Sequence, residues 1–250
     1  MELVLEDAKF FKSCVDAIVN LVDEGNFEVS SKGVHLRTMD PSQIAMVDFS
    51  LPSDAFKKFE VAEGSATLGV NLADLSKILA RTRAAEKLTL ILDERESNKL
   101  QLEFSGDNKR TFKLPLLDLA ASAPKEPKVP FDSHVKMRGG ALKELLKDAA
   151  LLSSHVSLEA SADGFVLEAH GDSGDLKSET AKTSADLVEV KSAAKSRAMF
   201  PFEYLDNMTR ACPDDEAIGL ELKTDAPLKV SYKIGAASLS YFLAPRVETV

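Results

Sequence analysis

The patterned segments of this chain occur twice in the same order, and that duplication limits the fold more than any single motif does. Apolar residues at helical spacing run over 8–22 (Phe11, Cys14, Val15, Ile18, Leu21, Val22) and again over 141–152 (Leu142, Leu145, Leu146, Ala149, Leu152). A hairpin signal follows each, Ser31-Lys32-Gly33 in the first half and Ala162-Asp163-Gly164 in the second, with alternating strands on both sides. A second helix comes next, over 72–81 (Leu72, Leu75, Ile78, Leu79) and over 201–211 (Phe202, Leu205, Met208). Three strands close each half: Leu88–Leu92, Leu100–Phe104 and Thr111–Leu114, against Ile218–Leu222, Leu228–Tyr232 and Leu239–Leu243. Gly33 returns as Gly164, Leu75 as Leu205 and Leu88 as Ile218, a spacing of about 130 residues. Two copies of one domain account for this; chance agreement among common α+β patterns is the alternative.

The expected organisation is an N-terminal domain over 1–116, a connector over 117–130 and a C-terminal domain over 131–250. The connector carries Pro124, Pro127 and Pro130 among small residues, so it continues neither a strand nor a helix. Its apolar members Leu117, Leu119 and Val129 place it against the body of the protein. Each half has many strands and two helices, which predicts an α+β fold with both helices covering one face of a β-sheet. The strands near Thr111–Leu114 and Asp175–Lys182 lack an evident partner in their own copy. The first is basic (Lys109, Arg110, Lys113); the second is acidic (Asp172, Asp175, Glu179), diluted by Lys177 and Lys182. Complementary free edges on one chain describe a head-to-tail contact that closes into a ring; solvated strand faces are the other reading.

With 31 Lys and Arg against 40 Asp and Glu, the net charge is −9, which argues against a surface that grips nucleic acid all round. The two cysteines, Cys14 and Cys212, are far apart, which excludes a disulfide scaffold and fits a reducing compartment. No apolar run is long enough to span a membrane, and the acidic start Met-Glu-Leu-Val-Leu-Glu-Asp lacks the basic region of a signal peptide. His35, His134, His155 and His170 are scattered singly, without metal-ligand spacing. No nucleophile elbow, P-loop or dinucleotide fingerprint occurs, so neither metal nor cofactor is expected. Gly139-Gly140 before a helix could hold an anion, although a turn into a helix is the commoner meaning. Asp214-Asp215-Glu216 and Asp93-Glu94-Arg95-Glu96 read as solvated turns.

Ser30-Ser-Lys-Gly-Val-His-Leu-Arg-Thr-Met-Asp40, Leu68-Gly-Val-Asn-Leu-Ala-Asp-Leu-Ser-Lys-Ile-Leu79, Asp225-Ala-Pro-Leu-Lys-Val-Ser-Tyr-Lys-Ile234 and Tyr241-Phe-Leu-Ala-Pro-Arg-Val247 carry a family resemblance. With them the chain resembles the proliferating cell nuclear antigen family of DNA sliding clamps over essentially its whole length, and its Leu-Ala-Pro-Arg-Val ending is nearer to archaeal members. The resemblance implies a non-enzymatic processivity factor of DNA replication and repair. It implies a homotrimeric ring, with helices lining the hole, that encircles double-stranded DNA without reading its sequence. Its implied partners are DNA polymerase, flap endonuclease and DNA ligase, held through short client motifs, and a clamp loader that opens the ring. The implied location is intracellular: the cytoplasm (nucleoid) of an archaeon or the nucleus of a eukaryote.

Sliding needs phosphate attraction without base contacts. Lys77 and Arg81 lie four residues apart on the second helix, with Arg83 just beyond; Lys143 and Lys147 repeat that spacing on the third. Lys12 and Arg210 complete the DNA-facing set, each with a solvated helix face as its alternative. Ser13, Val19, Glu144 and Glu203 stand where many family members are basic, so the hole is expected to be modestly positive. The resemblance also implies an apolar client-peptide pocket formed by Met39, Gln43, Ile44, Met46, Leu119, Pro124, Pro227, Phe242, Leu243, Ala244 and Pro245. Core packing is the alternative for Leu243 and Met46. Lys109, Arg110, Lys113, Asp175, Lys177 and Glu179 are the expected subunit-interface residues. Two rival readings are a clamp-like subunit that assembles only with paralogues, and an enzyme with its site between the halves.

Overall fold

The computed structural model describes residues 1–61, 65–93, 96, 98–120 and 123–246. The first half runs β1 (Glu2–Leu5), α1 (Ala8–Val19), β2 (Glu24–Ser30), β3 (Gly33–Met39), β4 (Ala45–Pro52), β5 (Lys58–Glu60), β6 (Ala66–Asn71), α2 (Leu72–Leu79), β7 (Lys87–Ile91), β8 (Lys99–Ser105) and β9 (Lys109–Pro115). The second runs β10 (Ser133–Arg138), α3 (Gly139–Ala150), β11 (His155–Ser161), β12 (Gly164–Gly171), β13 (Gly174–Ala181), β14 (Leu187–Ser192), β15 (Ser196–Pro201), α4 (Phe202–Thr209), β16 (Ala217–Leu222), β17 (Leu228–Ile234) and β18 (Ala237–Leu243). The order of elements is the same in both.

The duplication extends to strand order. In the first half the strands order as β5-β1-β7-β8-β9 and as β4-β3-β2-β6. In the second, β14-β10-β16-β17-β18 and β13-β12-β11-β15 are the same two arrangements. Each half therefore divides its strands between two sheets, where one sheet per half was expected. The chain separates into two compact units. One holds Met1–Pro41, Val47–Pro124 and Ile234–Leu239; the other holds Ser42–Met46, Lys125–Lys233 and the stretch from Ser240.

Local chemistry sets the helices. Asp7 caps α1 by accepting from Lys9 N–H at 2.8 Å, and Asn71 caps α2 by accepting from Asp74 N–H at 2.9 Å. α1 buries Ala8, Phe11, Cys14, Val15, Ala17 and Ile18, one stripe at helical spacing, and packs on α2. α3 buries Leu142, Leu146 and Ala149 and packs on α4. All four helices differ by a few residues from the expected ranges. α1 stops at Val19, α2 at Leu79 and α4 at Thr209, and α3 begins at Gly139. Among the described residues no helix is long and apolar enough to cross a membrane.

The two hairpin glycines are demanded by geometry. Gly33 and Gly164 sit at φ +132° and +155°, and a Cβ on either would strike a backbone carbonyl oxygen, of Leu51 or Thr180. The expected hairpin tip at Asp93–Glu96 is described only at Asp93 and Glu96; Glu94 and Arg95 lie outside the described residues.

The sheet β4-β3-β2 carries a charged cluster. His35 Nε2 lies 3.2 Å from Asp48 Oδ1, its Nδ1 lies 3.8 Å from Glu28, and Arg37 binds the other Asp48 oxygen. The Asp48 hydrogen bond raises the His35 pKa above the usual 6.5, against a smaller opposing effect of burial. A raised histidine stabilises the fold fully below the unfolded pKa and loses that contribution as pH rises through the folded one. His35→Gln should therefore flatten stability between about pH 6 and 8, where the wild type declines. Urea midpoints taken across that range check this, and parallel curves for the two proteins would contradict it.

Candidate functional site

Four of the seven expected DNA-facing side chains pair with acids of their own helix, and a fifth pairs nearby. Lys12 binds Asp16, Lys77 binds Asp74 at 2.9 Å, Lys147 binds Glu144 at 2.7 Å and Arg210 binds Asp206. Lys143 reaches Asp214 at 2.7 Å and draws its carboxyl below the usual range. Exposed pairs of this kind are worth about 0–1 kcal/mol, so a phosphate can displace the carboxylate, but each helix face is nearly neutral at rest.

Arg81 corrects an expectation. Because α2 ends at Leu79, Arg81 lies in the turn after the helix and not on the face of Lys77. Arg210 is likewise the residue that caps α4. Arg81 and Arg83 are exposed, and the Arg83 charge helps to lower the Glu86 carboxyl. Arg83 Nη1 donates to Asn108 Oδ1 at 3.5 Å.

The two expected free edges are sheet edges. Among the described residues β9 pairs only with β8 at one end of its sheet, and β13 only with β12 at one end of its own. Most of their charges pair within the chain. Lys109 is spent on Glu103 at 2.8 Å, Lys113 on Glu96, Asp175 on His170 at 2.8 Å, and Lys177 on Glu179. Arg110 departs furthest. It points inward, with its side chain 18% exposed, and its Nη2 donates to both oxygens of Glu86 at 2.7 and 2.6 Å. Its Nη1 donates to Arg81 O at 3.1 Å, and its guanidinium lies 5.2 Å from the centre of the Phe104 ring. Burial works against the Glu86 charge, yet the Arg83 N–H at 2.7 Å and Arg110 hold its carboxyl below the usual range. Glu86 was missed in the sequence, where it lies beside Lys87 as one charge among many.

Eight of the eleven expected client-surface residues lie in the second unit. Ala244 N–H donates to Ile44 O at 2.9 Å, and Arg246 N–H donates to Met199 O at 2.8 Å. These bonds run the tail along residues 42–46 and β15. Ile44, Pro227, Ala244 and Pro245 remain partly exposed, and Gln43 is exposed at φ 58°. Met46, Phe242 and Leu243 do not offer a contact surface: all three are buried, and Lys229 covers the Phe242 ring at 5.2 Å. They are core residues beneath the tail. Beside the tail a cavity of about 370 Å³ is lined by Ser157, Arg197, Met199, Thr224, Asp225 and Arg246; the sequence reading did not anticipate it.

Leu119 and Pro124 belong to the first unit, with Met39, and are partly exposed. The connector is pinned there at two points. Leu117 N–H donates to Gly69 O at 2.8 Å, and Asn26 Nδ2 donates to Ala120 O at 3.0 Å. Between the connector and β2–β3 lies a cavity of about 230 Å³, walled by Leu119, Ala120 and Pro124 on one side and Glu24, Glu28 and Thr38 on the other. Ala121 and Ser122 lie outside the described residues.

The Gly139-Gly140 amides hold no anion site. They donate to Glu216 O at 2.8 Å and Asp214 O at 3.0 Å, so the acidic turn closes the start of α3 with its own backbone. Among the described residues no group of three or more His, Cys, Asp or Glu is arranged to hold a metal ion.

Comparison with known proteins bears on both halves. Residues 1–122 match the sequence pattern of "Proliferating cell nuclear antigen, N-terminal domain", and residues 125–247 that of the C-terminal domain. The DNA polymerase sliding clamp of Thermococcus gammatolerans is 34% identical over 248 residues, covering 99% of this chain and 98% of the relative. The protein of the same name from Pyrococcus furiosus is 33% identical over the same length, with the same coverage. The solved structure of PCNA from Thermococcus kodakaraensis superposes with a TM-score of 0.92 at 26% identity, covering 98% of this chain and 99% of that one. A. fulgidus PCNA, solved with the C-terminal region of FEN-1 bound, gives 0.89 at 25% identity, covering 100% and 99%.

Proposed function

The chain belongs to the proliferating cell nuclear antigen family, and from that membership we propose how its residues carry the work of a DNA sliding clamp. Three copies close head to tail, the β9 edge of one against the β13 edge of the next. The contact rests on backbone hydrogen bonds and partly buried side chains such as Phe112 and Leu176, because the edge charges are already neutralised within the chain. The helices face duplex DNA through weakly held lysines, whose pairs yield to phosphate without fixing a base. Retention comes from encirclement, so strong affinity for free DNA is unnecessary.

Clients dock on the tail and its neighbours in the second unit, with Ile44, Pro227, Ala244 and Pro245 as apolar contacts; the pinned connector of the first unit is a contact in its own right. DNA polymerase is the first client; flap endonuclease, DNA ligase and a clamp loader are proposed to use the same surface. The chain itself catalyses no reaction and works inside the cell, where the DNA is.

The observation that carries the ring is the pair of free edges, one in each half of a chain whose halves share one strand order. Light scattering over a range of concentrations tests it. Three chains of 27.1 kDa make about 81 kDa, the mass expected of the self-sufficient ring. A mass of one chain at micromolar concentration would point instead to a subunit that closes only with paralogues.

A further inference from the structure

We infer that Glu86 is a positioning residue for assembly: a buried carboxylate that ties the Arg81–Arg83 turn to the edge strand β9 and makes the two a single unit. This rests on the reading of β9 as a ring edge. The carboxylate is 4% exposed and accepts three hydrogen bonds from two directions. Arg83 N–H comes from the turn, and the Arg110 fork comes from the middle of β9. Arg110 completes the circuit by donating to Arg81 O, which binds the far side of the turn to the strand. No other described carboxylate approaches Arg110, and its Nε is buried without a hydrogen-bond partner. The guanidinium is therefore held by Glu86, Arg81 O and the Phe104 ring.

The consequence for the edge is specific. β9 alternates, so Arg110, Phe112 and Leu114 share the inward face while Lys109, Thr111 and Lys113 face outward. Arg110 is thus held on the inward face of a strand that pairs with β8 along one side and ends its sheet on the other. The same anchor sets Arg81 and Arg83, both exposed, beside that edge. Without the Glu86 charge the guanidinium has no anion to hold it, and both the strand edge and the turn loosen together.

Glu86→Gln and Arg110→Gln, singly and combined, test this. Three quantities are measured: thermal stability, the ring dissociation constant by dilution, and hydrogen exchange at the Arg81–Arg83 amides. Each single variant should raise the dissociation constant about tenfold and speed exchange in the turn, with the double variant no worse than the poorer single. Arg110→Lys, which keeps the charge, should recover part of the loss. Folded variants that melt earlier but dissociate and exchange like the wild type would overturn the proposal, since Glu86 would then only support the fold. If Glu86→Gln does not fold, Arg110→Gln decides on the same readouts. If the wild type forms no ring, the ring reading fails, and exchange in the turn still decides whether Glu86 positions it.

Discussion

Replacing Arg110 with alanine should destabilise the first unit by about 1–3 kcal/mol, because it leaves the Glu86 carboxylate largely shielded from water without its main cation. Removing one member of a buried pair costs far more than the pair contributes, since the survivor keeps its desolvation penalty. The effect should depend on pH in a direction that identifies its source. In the wild type the lowered Glu86 pKa stabilises the fold above the usual carboxyl pKa of 4.5, and that contribution fades as pH falls through the folded value. In the variant the Arg110 contribution is gone and only Arg83 opposes burial, so the carboxyl titrates higher than in the wild type. The gap between the two proteins should narrow as pH drops below about 4.5. Urea unfolding at neutral and acidic pH measures it. A difference below about 0.5 kcal/mol at neutral pH would mean that Glu86 finds another partner. Charge reversal at Arg110 would set two carboxylates against each other, so it reports on folding before it reports on any ring.

Gly69→Ala should free the start of the connector. Gly69 lies on β6, and its carbonyl accepts the Leu117 N–H at 2.8 Å. A Cβ there would meet the Leu117 carbonyl oxygen well inside the 3.0 Å floor of real Cβ contacts, and that neighbour is backbone, so the chain itself must shift. The expected result is a loss of about 1–3 kcal/mol, concentrated at this contact. The Leu117 amide should exchange faster, while the amides of α1 and α2 should keep their protection. Affinity for a client peptide such as the C-terminal region of a flap endonuclease should fall about tenfold, because the connector wall is displaced. Asn26→Ala, which removes only the 3.0 Å bond to Ala120 O, should act in the same direction and more weakly. Unchanged exchange at Leu117 would show that the bridge is not what holds the connector.

Much of this architecture is legible in the residues. The duplication is carried by short-range signals: helical apolar spacing in α1 and α3, and glycines whose positive φ the hairpins require at 33 and 164. Such signals survive without tertiary information. The division of each half into two sheets does not show, because strand order is set by contacts remote in sequence. The end of α2 was missed because Ala80 and Arg81 are good helix formers, and nothing local says that the chain must turn there. The acid partners of the DNA-facing residues, by contrast, were readable. Lys12 with Asp16 and Arg210 with Asp206 are four apart, and Asp74 with Lys77 and Glu144 with Lys147 are three apart. Arg110 was readable too, since strand alternation sets it with Phe112 and Leu114 on the inward face. Glu86 was not, for its burial depends on a strand more than twenty residues away. Core packing was a readable alternative for Leu243 and Met46, but the burial of Phe242 follows from packing that a family motif does not display.

A sliding clamp stays on DNA by encircling it, not by ionic grip. The most direct measurement is retention on nicked circular duplex, after loading by a clamp loader with ATP, followed by a wash in salt strong enough to strip ionic contacts. A topological link predicts that the protein remains on the intact circle at high salt and is lost once a restriction enzyme cuts that circle into a line. Loss from the uncut circle in the same wash, or equal retention on the circle and the line, would mean that ionic contact and not encirclement holds the protein to DNA.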